Sequence, residues 1–214
     1  MKQLIIVLLS SFSLLACAQK KEAGLAIPLG NPKAPASKEA VADFSEGCFW
    51  HSEIVFQSLV GVRDAVAGYA GGKDTRPDYE KVASGETGHA ETVQVYYDPT
   101  KISFETLVAA FFASQDPTTL NRQGNDEGTE YRSIAFYRND TEKQVIEKAI
   151  RTLTGEKKYR DKIVTEVLSF TKFYPAENYH QEYIYHNPDN PYVQHVSIPD
   201  FLAFKQAFKG NFKE

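Results

Sequence analysis

Cys48 is the residue of this sequence whose type and position point most directly to chemistry. It stands in the segment Gly47-Cys48-Phe49-Trp50, immediately before apolar residues at helical spacing. A cysteine in the first turn of a helix faces unpaired backbone N–H groups and the positive end of the helix dipole. Both favour the thiolate, so we expect the pKa of Cys48 to lie below the reference value of about 8.5. The alternative is a structural cysteine buried in an aromatic core.

Glu91 is the candidate acid. It follows a Gly-His-Ala segment at 88–90 and enters an alternating, strand-like run at 92–97. A carboxyl group in apolar surroundings has a raised pKa and can donate a proton during a reaction. The alternative for Glu91 is an exposed position at the edge of the sheet.

Two polar segments hold further hydrogen-bonding side chains. Tyr79 lies in a segment, 77–82, that we expect to be a loop. The segment 122–133 is polar, is punctuated by glycines and holds Asp126 and Tyr131. This composition is typical of a substrate-binding loop, in which both side chains would form hydrogen bonds.

Hydrophobic periodicity predicts the elements that must position these residues. We expect Ser103 to cap one helix, and Thr141 with Gln144 to form a capping box at the start of another. In chain order the predicted elements are strand 40–44, a helix from about 48 to 60, strands 62–69 and 92–97, helix 103–112, strand 133–137, helix 141–153 and strand 163–170.

This order predicts an α/β (α+β) fold with a ferredoxin-like β-α-β-β-α-β core and a further helix and strand. The expected architecture is a two-layer sandwich, with helices on one face of a mixed sheet and long loops around it. The 214 residues fit one globular domain of ordinary size. A net charge of −4 and the lack of a lysine and arginine cluster argue against nucleic acid as a partner.

The N-terminus is typical of a bacterial lipoprotein. Lys2 precedes an apolar run at 4–13, which is shorter than the roughly 20 residues that span a bilayer. The run ends in Leu-Leu-Ala before Cys17, the expected site of lipidation, although an ordinary cleaved signal is the alternative. We therefore expect export to the cell envelope and a lipid anchor on the periplasmic or surface side of a bacterial membrane. The predicted parts are a signal peptide at 1–16, a lipidated tether at 17–39 and a catalytic domain at 40–214.

The cysteine count limits the redox chemistry. Cys17 and Cys48 are the two cysteines of the chain. Lipidation of Cys17 would leave Cys48 as the single free thiol, without a partner for an intramolecular disulfide.

A series of segments runs in a fixed order along residues 42–185. They are Gly47-Cys48-Phe49-Trp50 with Glu53, Gly68-Tyr69-Ala70-Gly71-Gly72, Gly88-His89-Ala90-Glu91, Gly124-Asn125-Asp126 with Gly128-Thr129 and Tyr131-Arg132-Ser133, and Tyr179-His180-Gln181. This series resembles the A-type peptide methionine sulfoxide reductases.

The resemblance implies a role for each matching residue. Cys48 would be the nucleophile that attacks the sulfoxide sulfur, and Glu91 would give a proton to the sulfoxide oxygen. Tyr79 and Tyr131 would donate hydrogen bonds to the same oxygen. The product would be methionine, with Cys48 left as a sulfenic acid.

The resemblance also implies the substrate contacts. Phe49 and Trp50 would enclose the S-methyl group, and Asp126 would contact the main chain of the substrate. A methyl pocket opposite an oxygen cradle implies a preference for the S epimer, in oxidised proteins, in peptides or as the free amino acid. No metal or bound cofactor is implied.

The sequence departs from many relatives in how the enzyme is regenerated. Those relatives carry further cysteines, often in the C-terminal tail, whereas residues 188–214 hold none. An external thiol reductant, such as a thioredoxin-like protein, would therefore have to reduce the Cys48 sulfenic acid. His51 occupies a position where relatives often carry a small residue or a cysteine, and no catalytic role is assigned to it.

Three other classes of protein remain to be separated from this one. A thiol peroxidase would use the same cysteine against peroxide, and a cysteine hydrolase would pair Cys48 with His51, His89 or His180. A lipoprotein that binds oxidised peptides would consume no reductant. Turnover of a sulfoxide compared with an ester separates the reductase from the hydrolase.

Overall fold

The computed structural model describes residues 38–214. The predicted signal peptide, Cys17 and all but the last two residues of the predicted tether lie outside the described residues. No helix within 38–214 has the length and apolar character needed to cross a membrane.

The described chain alternates strands and helices in the predicted order, with several short additions. The strands are β1 (Ala40–Ser45), β2 (Val62–Ala70), β3 (Ala90–Tyr97), β4 (Arg122–Gln123), β5 (Asp126–Glu127), β6 (Ile134–Tyr137), β7 (Glu166–Ser169) and β8 (Phe173–Pro175). The α-helices are α1 (Phe49–Gln57), α2 (Tyr79–Ala83), α3 (Phe104–Ala113), α4 (Asp140–Gly155), α5 (Tyr183–His186) and α6 (Ile198–Ala207).

Six strands form one mixed sheet in the order β7-β6-β1-β3-β2-β8. The four central strands, β6-β1-β3-β2, are antiparallel to one another and have the strand order of a ferredoxin-like core. The pair β6 and β7 is parallel, which makes the sheet mixed. The predicted α+β class is therefore confirmed.

The main core lies between this sheet and the helices. Phe44 of β1 stacks on Phe56 of α1 and Phe111 of α3, with ring centroids 5.1 and 5.2 Å apart. All three rings are fully buried, and each such ring contributes about 1.5–3 kcal/mol through its burial. Val93 and Val95 are buried in the same core, and Glu91 shares their strand face because side chains alternate along β3.

Three local predictions differ from the structure. The N-cap of α4 is Asn139, two residues before the predicted Thr141. The Asn139 side chain accepts a hydrogen bond from Glu142 N at 2.9 Å. Tyr79 begins the short helix α2 instead of lying in a loop. The last predicted strand, 163–170, is shortened to β7. The predicted Ser103 cap of α3 is confirmed by its hydrogen bond from Thr106 N.

The C-terminal tail, 178–214, contains helices that the periodicity did not predict. It passes over α1 through α5, a π-helical turn at Val193–Ser197 and α6. Its end is fixed to the last turn of α1, where Lys213 N donates to Ser58 O at 2.8 Å. This path brings the tail across the N-terminal end of α1.

Candidate active site

A cavity of about 290 Å³ lies where α1 begins beside the first residues of β3. All seven residues proposed from the sequence for catalysis or substrate contact line this cavity, which we call the front pocket. The tail adds two more residues to its walls. The lining residues are Cys48, Phe49, Trp50, Tyr79, Glu91, Asp126, Tyr131, Asn190 and Tyr192.

Glu91 is buried, so the exposed-edge alternative is wrong. Its Oε2 accepts a hydrogen bond from the backbone N–H of Phe49 at 2.9 Å, which joins β3 to the first turn of α1. Burial raises the pKa of Glu91 to about 8, against the lowering effect of that hydrogen bond. The carboxyl group is therefore mainly protonated at neutral pH and can act as an acid.

Cys48 is the N-cap residue of α1 and keeps partial exposure in the pocket wall. Gly47 allows the backbone just before Cys48 to pass close to the Gln123 side chain. Its φ is +98°, and a Cβ atom there would lie 2.7 Å from that side chain. The carbonyl of Cys48 accepts from His51 N at 3.1 Å and Ser52 N at 3.2 Å. The thiol is thus held at the helix start, as the sequence predicted.

The predicted lowering of the Cys48 pKa is wrong. Burial raises the pKa of the thiol well above its usual value, and the charge of Glu91, once that group has ionised, raises it further. Hydrogen bonds from the backbone of Trp50 and His51 act in the opposite direction, but they are the smaller influence. The loss of solvation therefore outweighs the helix terminus, and the resting site holds a thiol.

Two phenols face the same pocket from different elements. Tyr79 comes from α2, and its backbone N–H is held by Glu177 Oε1 at 3.0 Å. Tyr131 comes from a 3₁₀ turn at Thr129–Tyr131. Burial raises the pKa of Tyr79 to about 12 and raises that of Tyr131 as well, so both hydroxyls remain hydrogen-bond donors.

The aromatic wall is held by ring contacts and one hydrogen bond. Trp50 stacks on Tyr183 of the tail with ring centroids 3.6 Å apart, and its Nε1 donates to His180 Nδ1 at 3.2 Å. His180 also packs against Phe49 at 4.9 Å and Tyr79 at 4.6 Å between ring centroids. His180 thus supports the aromatic wall through packing and the hydrogen bond from Trp50.

Asn190 and Tyr192 are site residues that sequence reasoning missed. The Tyr192 hydroxyl donates to Asp126 Oδ2 at 2.5 Å and lines the pocket together with Cys48. Asp126 is therefore engaged within the protein. Neither Asn190 nor Tyr192 belongs to a periodic element or to one of the matching segments. The one local feature that could have indicated a site is the aromatic Tyr192 directly after Asn190-Pro191.

The histidines do not form a hydrolase pair with Cys48. Each makes its hydrogen bond with another residue: His89 with Gly72, His180 with Trp50 and His51 with Ser114. Within residues 38–214, no three His, Cys, Asp or Glu side chains are grouped so as to hold a metal ion.

The fold and the front pocket define an α+β enzyme with a redox site built on one cysteine. Residues 40–211 match the family model described as peptide methionine sulfoxide reductase. The chain belongs to this family, and it reduces methionine sulfoxide.

Known relatives agree with this assignment. The chain is 48% identical over 175 residues to peptide methionine sulfoxide reductase MsrA 1 of Rhodopirellula baltica, covering 82% of this chain and 90% of that protein. The crystal structure of Mxr1 from Saccharomyces cerevisiae in reduced form matches with a TM-score of 0.69 and 34% identity, covering 74% of this chain and 91% of Mxr1. Mxr1 in complex with Trx2 matches with a TM-score of 0.51 and 25% identity, covering 72% and 92%.

Proposed function

We propose that this enzyme reduces the S epimer of methionine sulfoxide, in proteins, in peptides and as the free amino acid, with Cys48 as its nucleophile. One observation carries the proposal. The Cys48 thiol, the protonated Glu91 carboxyl and the phenols of Tyr79 and Tyr131 all line one small pocket.

The first step activates the substrate. The sulfoxide oxygen lies among Glu91, Tyr79 and Tyr131, and Glu91 gives it a proton. A protonated oxygen makes the sulfur electrophilic, and the two phenols stabilise the charge that moves during attack.

The second step transfers oxygen to Cys48. The Cys48 sulfur forms a bond to the substrate sulfur as its proton passes to Glu91. The hydroxyl of the substrate then moves to the Cys48 sulfur, as the S–O bond of the substrate and the new S–S bond both break. Methionine leaves and Cys48 becomes a sulfenic acid that carries the proton first given by Glu91. Protons balance, and the substrate gains two electrons that Cys48 loses.

The pocket walls give a reason for selecting one epimer. Phe49 and Trp50 form an apolar surface for the S-methyl group, and the acid and phenols hold the oxygen on another side. The two epimers exchange the positions of oxygen and lone pair at sulfur, so only one of them places both methyl and oxygen correctly. Asp126 is proposed to contact the substrate main chain through the carboxylate oxygen that does not accept from Tyr192.

Regeneration requires a thiol from outside the domain, because Cys48 is the one cysteine among residues 38–214. Two external thiols reduce the sulfenic acid to the Cys48 thiol, and the products are a disulfide of the two thiols and water. The complex of the yeast relative with Trx2 supports a thioredoxin-like protein as one such reductant.

The direct test offers the purified protein each epimer of a methionine sulfoxide peptide, together with a thiol reductant and an activated ester as a hydrolase control. We expect conversion of the S epimer alone and no accelerated ester cleavage. Equal conversion of both epimers would contradict the proposed geometry of the pocket.

We also propose that the enzyme is an exported lipoprotein of a bacterial cell envelope. Support comes from the sequence: a short apolar run ends in Leu-Leu-Ala before Cys17, and a proline-containing tether follows. The lipid on Cys17 would hold the catalytic domain near oxidised envelope proteins.

Cys17→Ala tests the anchor. We expect the variant to move from the membrane to the soluble fraction, or to remain unprocessed, when cells are fractionated and the protein is partitioned into detergent. Cys48→Ser is the matched control and should stay on the membrane. Unchanged membrane association of a cleaved Cys17→Ala protein would contradict the anchor.

A further inference from the structure

A second cavity, of about 330 Å³, reaches Cys48 from another direction, and we call it the rear cavity. It shares Cys48, Asp126 and Tyr192 with the front pocket, so the hydrogen-bonded Asp126–Tyr192 pair stands between the two. Its other walls come from the end of α3, the turn at 123–124 and α6. The function proposed above leaves this cavity without a role.

The floor of the rear cavity holds a buried carboxyl group with unused hydrogen-bonding capacity. Glu46 is 1% exposed, and its Oε2 accepts from the Ser114 hydroxyl at 2.8 Å. Its Oε1 has no hydrogen-bond partner among the described residues. A polar group brought into the cavity would supply the missing partner for this oxygen.

The walls of the rear cavity carry negative charge. Asp116 and Asp200 are exposed at its mouth, and Asp126 lies at its inner end. No lysine or arginine occurs among the described residues that line it. Three carboxylates in walls whose described residues include no lysine or arginine favour a positively charged molecule over an anion.

We propose that the rear cavity admits the thiol that reduces the Cys48 sulfenic acid, and that it selects a small thiol carrying a protonated amino group over an anionic thiol. This inference rests on the proposed function, because it needs the sulfenic acid that sulfoxide reduction leaves on Cys48.

Displacement at sulfur explains why a second approach is needed. The sulfenic oxygen forms in the front pocket beside Glu91, and an attacking thiol must reach the sulfur on the side opposite to that oxygen. The front pocket lies on the oxygen side and is the exit for methionine. The rear cavity gives access to the same sulfur between different walls.

The proposed step balances atoms and electrons. The incoming sulfur forms an S–S bond with Cys48, the S–O bond breaks, and the oxygen leaves as water with the proton of the incoming thiol. A second thiol then attacks the mixed disulfide, releases the Cys48 thiol and forms a small disulfide. The two aminothiols supply both electrons.

The experiment follows regeneration separately from sulfoxide reduction. Full-length protein is first given excess methionine sulfoxide without thiol, and the methionine released in this burst is measured. Cysteamine or mercaptopropionate, similar in size and opposite in charge, is then added at neutral pH, and the loss of sulfenic acid is followed by intact mass. Each rate is divided by the rate of the same thiol with dithiodipyridine in free solution.

We expect cysteamine to be favoured by about tenfold after this correction, the lower end of electrostatic steering effects. Raising the ionic strength should reduce the preference, because salt screens the exposed carboxylates. Asp200→Asn should reduce it as well, with the methionine burst unchanged.

A blocking variant tests the route itself. Ala203 lines the mouth of the rear cavity on α6, so Ala203→Trp should slow regeneration by cysteamine severalfold. Leu202 is the matched control: it is exposed, neighbours Ala203 and lies outside the cavity walls, so Leu202→Trp should have no effect.

The outcomes separate this inference from the proposed function. Absence of the methionine burst in the wild-type protein would overturn the proposed function. A normal burst followed by equal corrected rates for the two thiols, or by undiminished regeneration in Ala203→Trp, would overturn the role of the rear cavity.

Discussion

The front pocket and the rear cavity are similar in volume, about 290 and 330 Å³, and both have Cys48, Asp126 and Tyr192 in their walls. Their remaining walls differ. The front pocket has aromatic rings, two phenols and the protonated Glu91, whereas the rear cavity has exposed carboxylates at its mouth and Glu46 at its floor.

This difference shows how one cysteine can serve two half-reactions. Reduction of a sulfoxide needs an acid and neutral hydrogen-bond donors at the oxygen, and the front pocket provides them. Regeneration needs access for a thiol, and the rear cavity provides access with a charge preference. The other residues in the walls of each cavity, rather than the cysteine itself, determine which molecule can react there.

The largest effect is expected at Cys48, the reactive residue that lies in the walls of both cavities. Cys48→Ser should reduce methionine formation below about one hundredth of the wild-type rate, because a hydroxyl lacks the nucleophilicity and the redox step. Folding should survive this nearly isosteric change, as thermal unfolding can check. Activity well above that level would remove Cys48 from the mechanism of both cavities.

Glu91→Gln, in the front pocket, should cause the second largest loss of activity. The amide keeps the shape and can accept the hydrogen bond from Phe49 N, but it cannot donate a proton to the substrate, so we expect a loss of about 10²–10⁴-fold in the burst rate. The control is Glu53→Gln, since Glu53 is also buried and accepts from Glu182 N at 2.8 Å outside both cavities. An equal loss in both variants would indicate damage to the fold instead of loss of an acid.

The two phenols should have smaller effects because each can partly cover for the other. Tyr79→Phe and Tyr131→Phe should each slow the burst by about tenfold, less than the about 10²–10³-fold expected for an unshared oxyanion donor. Tyr159 is a control phenol with a similarly raised pKa, and it donates to Phe112 O away from the pocket. If the double variant Tyr79→Phe with Tyr131→Phe were as active as wild type, the oxygen cradle would be wrongly assigned.

The buried carboxyls of the two cavities should also make stability depend on pH. Burial raises the pKa of Glu46 and of Glu91 to about 8 in the folded protein, so the folded state holds these protons more tightly than the unfolded state. Each group therefore lowers the free energy of unfolding, by at most about 1.4 kcal/mol per pH unit, as pH rises from near 4.5 to 8. Urea unfolding at several pH values should show this decline, and Glu46→Gln should reduce its slope. An unchanged slope would mean that Glu46 is solvated in the folded state.

Much of the fold could be predicted from the sequence because its central elements have clear periodicity. Strands 40–44, 62–69 and 92–97 alternate or run apolar between turn residues, and Ser103 gives a clear helix start. The capping prediction at Thr141 failed because Asn139, an equally good cap, precedes it and binds Glu142. Helices α5 and α6 were missed because their burial depends on contact with α1.

The sequence allowed most residues of the site to be predicted, but it did not allow the pKa of Cys48 to be predicted correctly. Cys48, Glu91 and Tyr131 are far apart in sequence, and only the resemblance grouped them. The pKa of Cys48 was predicted in the wrong direction because a helix terminus is a local feature, whereas desolvation comes from tertiary packing. Tyr192 illustrates this: it reaches Cys48 only through the path of the tail.

The most direct test of the account is a burst measurement on the purified enzyme without added thiol. One cysteine can store the oxidising equivalent of one turnover, so we expect one methionine per enzyme and an enzyme heavier by one oxygen atom. A dimedone-type reagent should then trap the oxygen on Cys48, and a small thiol should restore turnover. A burst clearly above one methionine per enzyme would mean that another residue stores oxidising equivalents, and would contradict the single-cysteine mechanism.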